Sequence, residues 1–318
     1  MKLILTVCLA ALAAFGQQRI PILFDTDIGD SVDDAVALAL ALRSPELDIR
    51  GVTTVTDDTE ARSRLAWKEL GIFARRDIPV ATGAPEPLLD PVHFGHSREF
   101  NVLTPGDALP PAARKRAADF IIETLLASQQ KITIVAIGPL TNIALAIKTE
   151  PAIKDKIERI VLMGGAYSLP QAEYNIQRDR AAAAIVFQSN LPITAVGLDV
   201  TLQCKLRPQD LNRLRIADGP AAHFIMHLIE LAKADTHEDY PTLHDPLALA
   251  VVFRPDLVET AAGRVKVPLD DNPSGGGLTQ FVPAGSLPGV QPTTLVARRV
   301  NVAAFLDLLI QRLATSLP

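Results

Sequence analysis

Residues 24–42, FDTDIGDSVDDAVALALAL, join an apolar strand to an apolar helix through five aspartates, Asp25, Asp27, Asp30, Asp33 and Asp34. Upstream, RIPILF (19–24) reads as the strand. Downstream, DDAVALALALRSPE (33–46) reads as a helix that stops at Ser44-Pro45, because a residue before proline is biased away from the α region. The same alternation recurs along the chain. LDIRGVTTVT (47–56), KITIVAIG (131–138), RIVLMGG (159–165) and PITAVGLDV (192–200) look like strands, and EARSRLAWKELGIFARR (60–76), PLTNIALAIKTE (139–150) and DRAAAAIVFQSN (179–190) look like helices. Near-continuous Val and Ile runs between helical periods predict an α/β fold, a doubly wound, mostly parallel sheet flanked by helices. In such open sheets ligands bind beyond the carboxyl ends of the strands, where the aspartates stand.

The whole chain sets bounds on this reading. Its 318 residues, 48% hydrophobic and 21% charged, suffice for a large core. A formal net charge of −5, without a run of Lys and Arg interleaved with aromatics, argues against nucleic acid as a partner. MKLILTVCLAALAAFGQQ at the start reads as a secretory signal, with Lys2 as the positive region, an apolar stretch to Ala14, and small residues for cleavage after Gly16. The expectation is a signal peptide at 1–16, one catalytic domain over 17–318, and export to a periplasm or the medium. Cys204 would then be the sole cysteine and no intrachain disulfide could form. No later stretch is apolar and long enough to span a membrane. Two long irregular connections, 84–110 and 268–293, interrupt the alternation, the first by its length either a functional loop or a mobile one and the second carrying short strand-like pieces.

Helix capping by Asp30 or Ser31 and the helix dipole account for one or two of the carboxylates. Five need a cation to offset their repulsion. A hard divalent ion, Ca²⁺ before Mg²⁺, suits a set of carboxylates and backbone carbonyls. The cluster is not an EF-hand loop, since counting from Asp25 the sixth residue is Asp30 and the twelfth is Val36. The D-x-D of haloacid-dehalogenase-type phosphatases, with Asp25 as nucleophile, is a second possibility. That motif asks for Thr or Val where Gly29 stands and for its other acids on a distant strand.

DTDIGDSVDDAVALAL resembles the N-terminal fingerprint of the inosine-uridine-preferring nucleoside hydrolases: Asp-x-Asp, a Gly, then an Asp-Asp pair opening a helix rich in Ala and Leu. GVTTV (51–55), AIGPLTNIALA (136–146), IVLMGGA followed by EYNI (160–176) and HDPLALA (244–250) extend the resemblance in the same order, from about Ile20 to the VNVAAFLDLL helix. The resemblance implies a calcium site made by Asp27, Asp34, Asp245 and the main-chain carbonyl of Ile137, where the family usually has Thr. It implies that Asp33 accepts a hydrogen bond from the sugar, and that Glu173 and Asn175 hold its 5′ end. A Gly-Asn element usual between MGGA and EYNI is absent, and Asp58 stands where the family places a ribose-binding Asn after GVTTV, so by the resemblance Asp58 is expected to bind the sugar by accepting from a hydroxyl.

The implied chemistry is hydrolysis of a ribonucleoside to free base and ribose. Cleaving the C–N bond passes through an oxocarbenium-like state that carboxylates stabilise. Asp27 would deprotonate a metal-bound water, and His244 would protonate the leaving base. A small-molecule nucleoside is thus the expected partner, and a homodimer or homotetramer the expected assembly. A non-catalytic protein that captures ribosyl ligands is the remaining alternative.

Other histidines have plainer readings. His223, His227 and Glu230 fall at i, i+4 and i+7 on AAHFIMHLIELAKA, with His237 beyond, and read as a polar helix stripe because H-E-x-x-H is absent. By the same resemblance this segment and the 84–101 loop, with His93 and His96, border the site. Trp67 and Phe73 read as core.

Overall fold

The computed structural model describes residues 18–89, 97–237, 239–269, 277–286, 289 and 291–315. The leader, His93 and His96 lie outside the described residues. Among the described residues nine strands form one sheet: β1 (Ile20–Thr26), β2 (Leu47–Thr54), β3 (Val80–Ala81), β4 (Ile132–Ala136), β5 (Ile157–Met163), β6 (Ile193–Val196), β7 (Val258–Lys266), β8 (Gln280–Pro283) and β9 (Thr294–Val300). Their order is β3-β2-β1-β4-β5-β6-β9-β7-β8. Every neighbouring pair from β3 to β9 is parallel, and β7 runs antiparallel to both β9 and β8. β7 and β9 are absent from the sequence reading, since their solvent-facing positions break the apolar runs.

The chain lays β2 and β3 on one side of β1, then places β4 on the other. That reversal opens a crevice at the carboxyl ends of β1 and β4, where α/β sheets bind ligands. Register brings the two ends level: Asp25 stands opposite Ala136, and the Ile137 N–H donates to the Asp25 carbonyl at 2.9 Å.

The helices are α1 (Val32–Leu42), α2 (Thr59–Ile72), α3 (Ala117–Ala127), α4 (Thr141–Thr149), α5 (Tyr174–Arg178), α6 (Arg180–Phe187), α7 (Leu198–Thr201), α8 (Pro208–Ile216), α9 (Pro220–Thr236), α10 (His244–Phe253) and α11 (Val302–Ala314). Strand alternation sends Ile22 and Phe24 into a core shared with α1, α2, α9, α10 and α11, and Leu23 into a second core with α3, α4 and α6. Helices α1 and α10 pack against each other, and both are buried along nearly their whole length. Their Ala and Leu content permits this, and it sets the two N-termini, each with an acidic first turn, side by side at the crevice.

Candidate active site

The aspartate stretch divides its side chains between two destinations. Asp25, still within β1, turns away from the crevice and accepts hydrogen bonds from Thr53 Oγ1 and, at 2.8 Å, from Asn142 Nδ2. Burial pushes its carboxyl up to about 7. Placed there, it is no nucleophile for the crevice, which removes the main support for a phosphatase reading. Asp27, Asp33 and Asp34 instead line a cavity of about 350 Å³ together with Ile137, Glu173, Tyr174, Asn175, His244 and Asp245.

Several of these side chains are fixed by backbone or by a neighbour. Gly138 lets Asp27 close on the β4 end, since a Cβ there would lie 2.7 Å from Asp27 Oδ1 and 2.9 Å from its N. Asp34 accepts from Thr26 Oγ1. Asp33 Oδ2 accepts from the backbone N–H groups of His244 at 2.9 Å and Asp245 at 3.1 Å, so it caps α10 from across the crevice. Asp33 Oδ1 is buried with no hydrogen-bond partner among the described residues. One ligand oxygen from each of Asp33, Asp34 and Asp245 lies within 4.8 Å of the others, the only such group of metal-ligating side chains among the described residues. Burial, then mutual repulsion, raises the carboxyls of Asp34 and Asp245 far above their ordinary range, and burial followed by Asp30 raises that of Asp27. Such a set fits a hard cation, which needs several anionic oxygens and relieves that repulsion.

Glu173 caps α5 and accepts from the N–H groups of Gly165, Asn175 and Ile176, each at 3.0 Å, so it ties the loop after β5 to the helix that follows. Asn175 Nδ2 donates to the carbonyls of Ile137 at 2.9 Å and Met163 at 3.2 Å, joining the ends of β4 and β5. His244 Nδ1 lies 2.8 Å from Oγ1 of the buried Thr201 at the end of α7. A second cavity of about 250 Å³ shares Asp30, Ser31 and His244 with the first and is closed by Ile229, Ala232 and Lys233 of α9 and by Ser97 and Glu99. The α9 segment and the described end of the 84–110 loop thus do border the site. Phe100 presses on Gly29 (φ +93), where a Cβ would meet its ring at 2.4 Å.

Some expected residues go elsewhere. Asp58 is exposed, caps α2 by accepting from Ala61 N at 2.9 Å, and does not line the cavity. Its neighbour Asp57 points inward to Arg178 at 2.8 Å. Thr56 and Asp57 both adopt the left-handed region, φ 71 and 54, and that local path decides which of the two aspartates faces in. Asp33, expected at the sugar, lines the cavity and stands in the carboxylate trio as well, and Asp27 lines the same cavity outside that trio. Ser31 precedes α1 as expected but makes no side-chain cap. His223 and His227 are exposed while Ile225, Met226 and Ile229 are buried, as a polar stripe requires. Phe73 is core, and Trp67 is half-buried with Arg76 over its ring at 5.0 Å.

The profile of the inosine-uridine preferring nucleoside hydrolases matches residues 22–307. The chain belongs to this family. The pyrimidine-specific ribonucleoside hydrolase RihA of Klebsiella pneumoniae is 37% identical over 310 residues, covering 93% of this chain and 98% of that one. Among solved structures, the plant nucleoside hydrolase PpNRh1 superposes with a TM-score of 0.84 at 28% identity, over 94% of this chain and all of that one. The purine-preferring ribonucleoside hydrolase of Gardnerella vaginalis gives 0.82 at 30% identity, over 92% and 98%. This nucleoside hydrolase is therefore an enzyme that cleaves the N-glycosidic bond of ribonucleosides.

Two residues of the site escape sequence reasoning. Thr201 carries no motif. Arg62, on α2, lies beneath the aspartate loop and is a cation that acts on both Asp27 and Asp34. The clue to it is position: Arg62, Leu65, Ala66, Glu69 and Leu70 form the buried stripe of α2, an unusual place for a charge.

Proposed function

We propose that the enzyme hydrolyses ribonucleosides with a calcium ion held by Asp27, Asp34, Asp245 and the Ile137 carbonyl. The observation that carries this is the convergence of buried carboxylate oxygens on one cavity, with Asp33 Oδ1 left unpartnered there. When bound, the cation would hold the sugar hydroxyls and lower the pKa of a water molecule. Asp27 would take the proton of the attacking water as the water oxygen bonds to C1′ and the C1′–N bond breaks. His244, with Nδ1 held by Thr201, gives a proton from Nε2 to the departing base. Asp33, its Oδ2 fixed on the α10 N-terminus, offers Oδ1 to a ribose hydroxyl. Glu173 and Asn175 border the 5′ end, while Asp58 contributes through its cap on α2.

Uridine and cytidine are the substrates proposed, on the likeness to pyrimidine-specific relatives at 35–37% identity. Export belongs to the same proposal and rests on the leader at 1–16; a mature N-terminus at Gln17 would support it. Assembly as a dimer or tetramer rests on the family resemblance, and light scattering measures it. Within the described residues no helix is long and apolar enough to cross a membrane.

The test is release of reducing sugar from uridine, cytidine, inosine and adenosine, with and without a calcium chelator. Chelator-sensitive release, restored by Ca²⁺, is expected, with pyrimidines ahead. Turnover indifferent to a chelator that strips the protein would end the calcium assignment. Failure to release ribose from any substrate, with calcium bound, would favour a ligand-capturing role.

A further inference from the structure

We propose that Arg62 is a positioning residue that clamps the aspartate loop from below, and that calcium affinity depends on this clamp rather than on the charge Arg62 carries. The proposal rests on the calcium reading above. The Arg62 side chain is 4% exposed. Its Nη1 donates to the carbonyl of Asp27 and, at 3.1 Å, to that of Ile28, and its Nε donates to the carbonyl of Thr56 at 2.7 Å. The carboxylates it approaches are farther off, Asp30 at 3.5 Å and Asp57 at 3.9 Å.

A buried cation that spends its best hydrogen bonds on carbonyls is arranged to hold backbone. What it holds is specific. Asp27 and Ile28 begin the turn that leaves β1, and Thr56 lies in the connection from β2 to α2, where two successive residues with side chains sit in the left-handed region at φ 71 and 54. Such conformations persist only when the surroundings hold them. One planar fork therefore staples two strand-end loops to α2 and fixes the peptide from which the Asp27 carboxylate hangs. Lysine, a point charge with freely rotating donors, cannot reproduce three contacts of that geometry.

The two roles of Arg62 predict opposite signs. A positive charge near a divalent cation repels it, so a residue acting by charge alone would, on removal, leave calcium bound more tightly. A clamp, on removal, would leave it bound more weakly. Calcium titration calorimetry on chelator-stripped full-length enzyme, unaltered and as Arg62→Met and Arg62→Lys, separates them. We expect both variants to bind calcium about 10- to 100-fold more weakly, as when other groups that orient metal ligands are lost. Amide exchange of residues 27–31 and 56–58 in the stripped protein should quicken in both.

Tighter or unchanged calcium binding in Arg62→Met, or wild-type affinity in Arg62→Lys, overturns the proposal. If Arg62→Met fails to fold, Arg62→Lys, which keeps a cation in place, decides alone. Asp34→Asn serves as the control for the reading beneath. If the unaltered enzyme binds no calcium, or Asp34→Asn binds it as well as the unaltered enzyme does, the calcium reading falls and takes the affinity claim with it. Unchanged amide exchange in both Arg62 variants removes the clamp itself, whatever the metal result.

Discussion

Asp33, Asp34 and Asp245 at the strand ends, and Glu69 with Glu99 between α2 and the turn Arg98–Val102, are both groups of buried acids. Each group holds an acid whose proton affinity is raised by burial and then by like charge: Glu69 is pushed far above its ordinary range by burial and then by Glu99, as Asp245 is by burial and then by Asp33. They differ in what surrounds the oxygens. In the first group Asp33 is oriented by two backbone N–H groups and Asp34 by Thr26, and all line an open cavity with Arg62 behind it. In the second, neither oxygen of Glu69 has a hydrogen-bond partner among the described residues, and Glu69 lines no cavity described above. A raised proton affinity therefore does not by itself distinguish a cation site from a neutral buried acid. Orientation by backbone and convergence on a space a cation can enter do.

The largest effects should follow from altering the first group. Asp34→Asn or Asp245→Asn is expected to lower kcat/KM by about 10²–10⁴-fold, several kcal/mol of transition-state stabilisation, while Glu69→Gln leaves it unchanged. Steady-state kinetics on all three breaks the comparison if the glutamate change costs as much as the aspartate ones. Next, His244→Ala should reduce nucleoside turnover by about 10²-fold, with a much smaller loss on a riboside whose leaving group departs without a proton. Equal losses on both substrates would take the proton-donor role from His244. Thr201→Val comes third, with kcat down about tenfold and KM unchanged, the worth of one orienting hydrogen bond of roughly 1–1.5 kcal/mol. A rise in KM alone would show instead that Thr201 shapes ground-state binding.

What the sequence discloses follows the same division. Local rules are legible: Val and Ile runs between helical periods give the parallel sheet, and Asp33 and Asp34 read as the acidic first turn of α1. The motifs reach across the chain as well, since Ile137, Glu173, Asn175, His244 and Asp245 all line one cavity. Contacts made by backbone carbonyls stay hidden, because no side-chain pattern announces them. Arg62 and Glu69 stand on one buried stripe of α2, one serving the site and the other not, and their spacing is the same kind of clue for both. Asp57 and Asp58 differ by one position, and the left-handed path at Thr56 and Asp57, not residue type, turns the first toward Arg178 and the second outward.

The effect that sharpens the comparison furthest concerns stability alone and leaves turnover unchanged. Glu69 has a folded-state pKa raised above its ordinary 4.5 by burial and then by Glu99, so between those two values the folded chain keeps a proton that the unfolded chain has released. Stability is then greatest below the ordinary value and falls as pH rises toward the folded one, by up to about 1.4 kcal/mol per pH unit. Gln at this position carries no such penalty. The stability difference between Glu69→Gln and the unaltered enzyme, from urea unfolding of chelator-stripped protein, should therefore grow in favour of the variant as pH rises from the ordinary value of 4.5 toward the folded one. The acids of the crevice titrate in both proteins and cancel in that difference, provided the two groups are independent. A difference that stays flat across this range would mean that Glu69 ionises freely in the folded chain, and the two groups of acids would then differ in proton affinity after all.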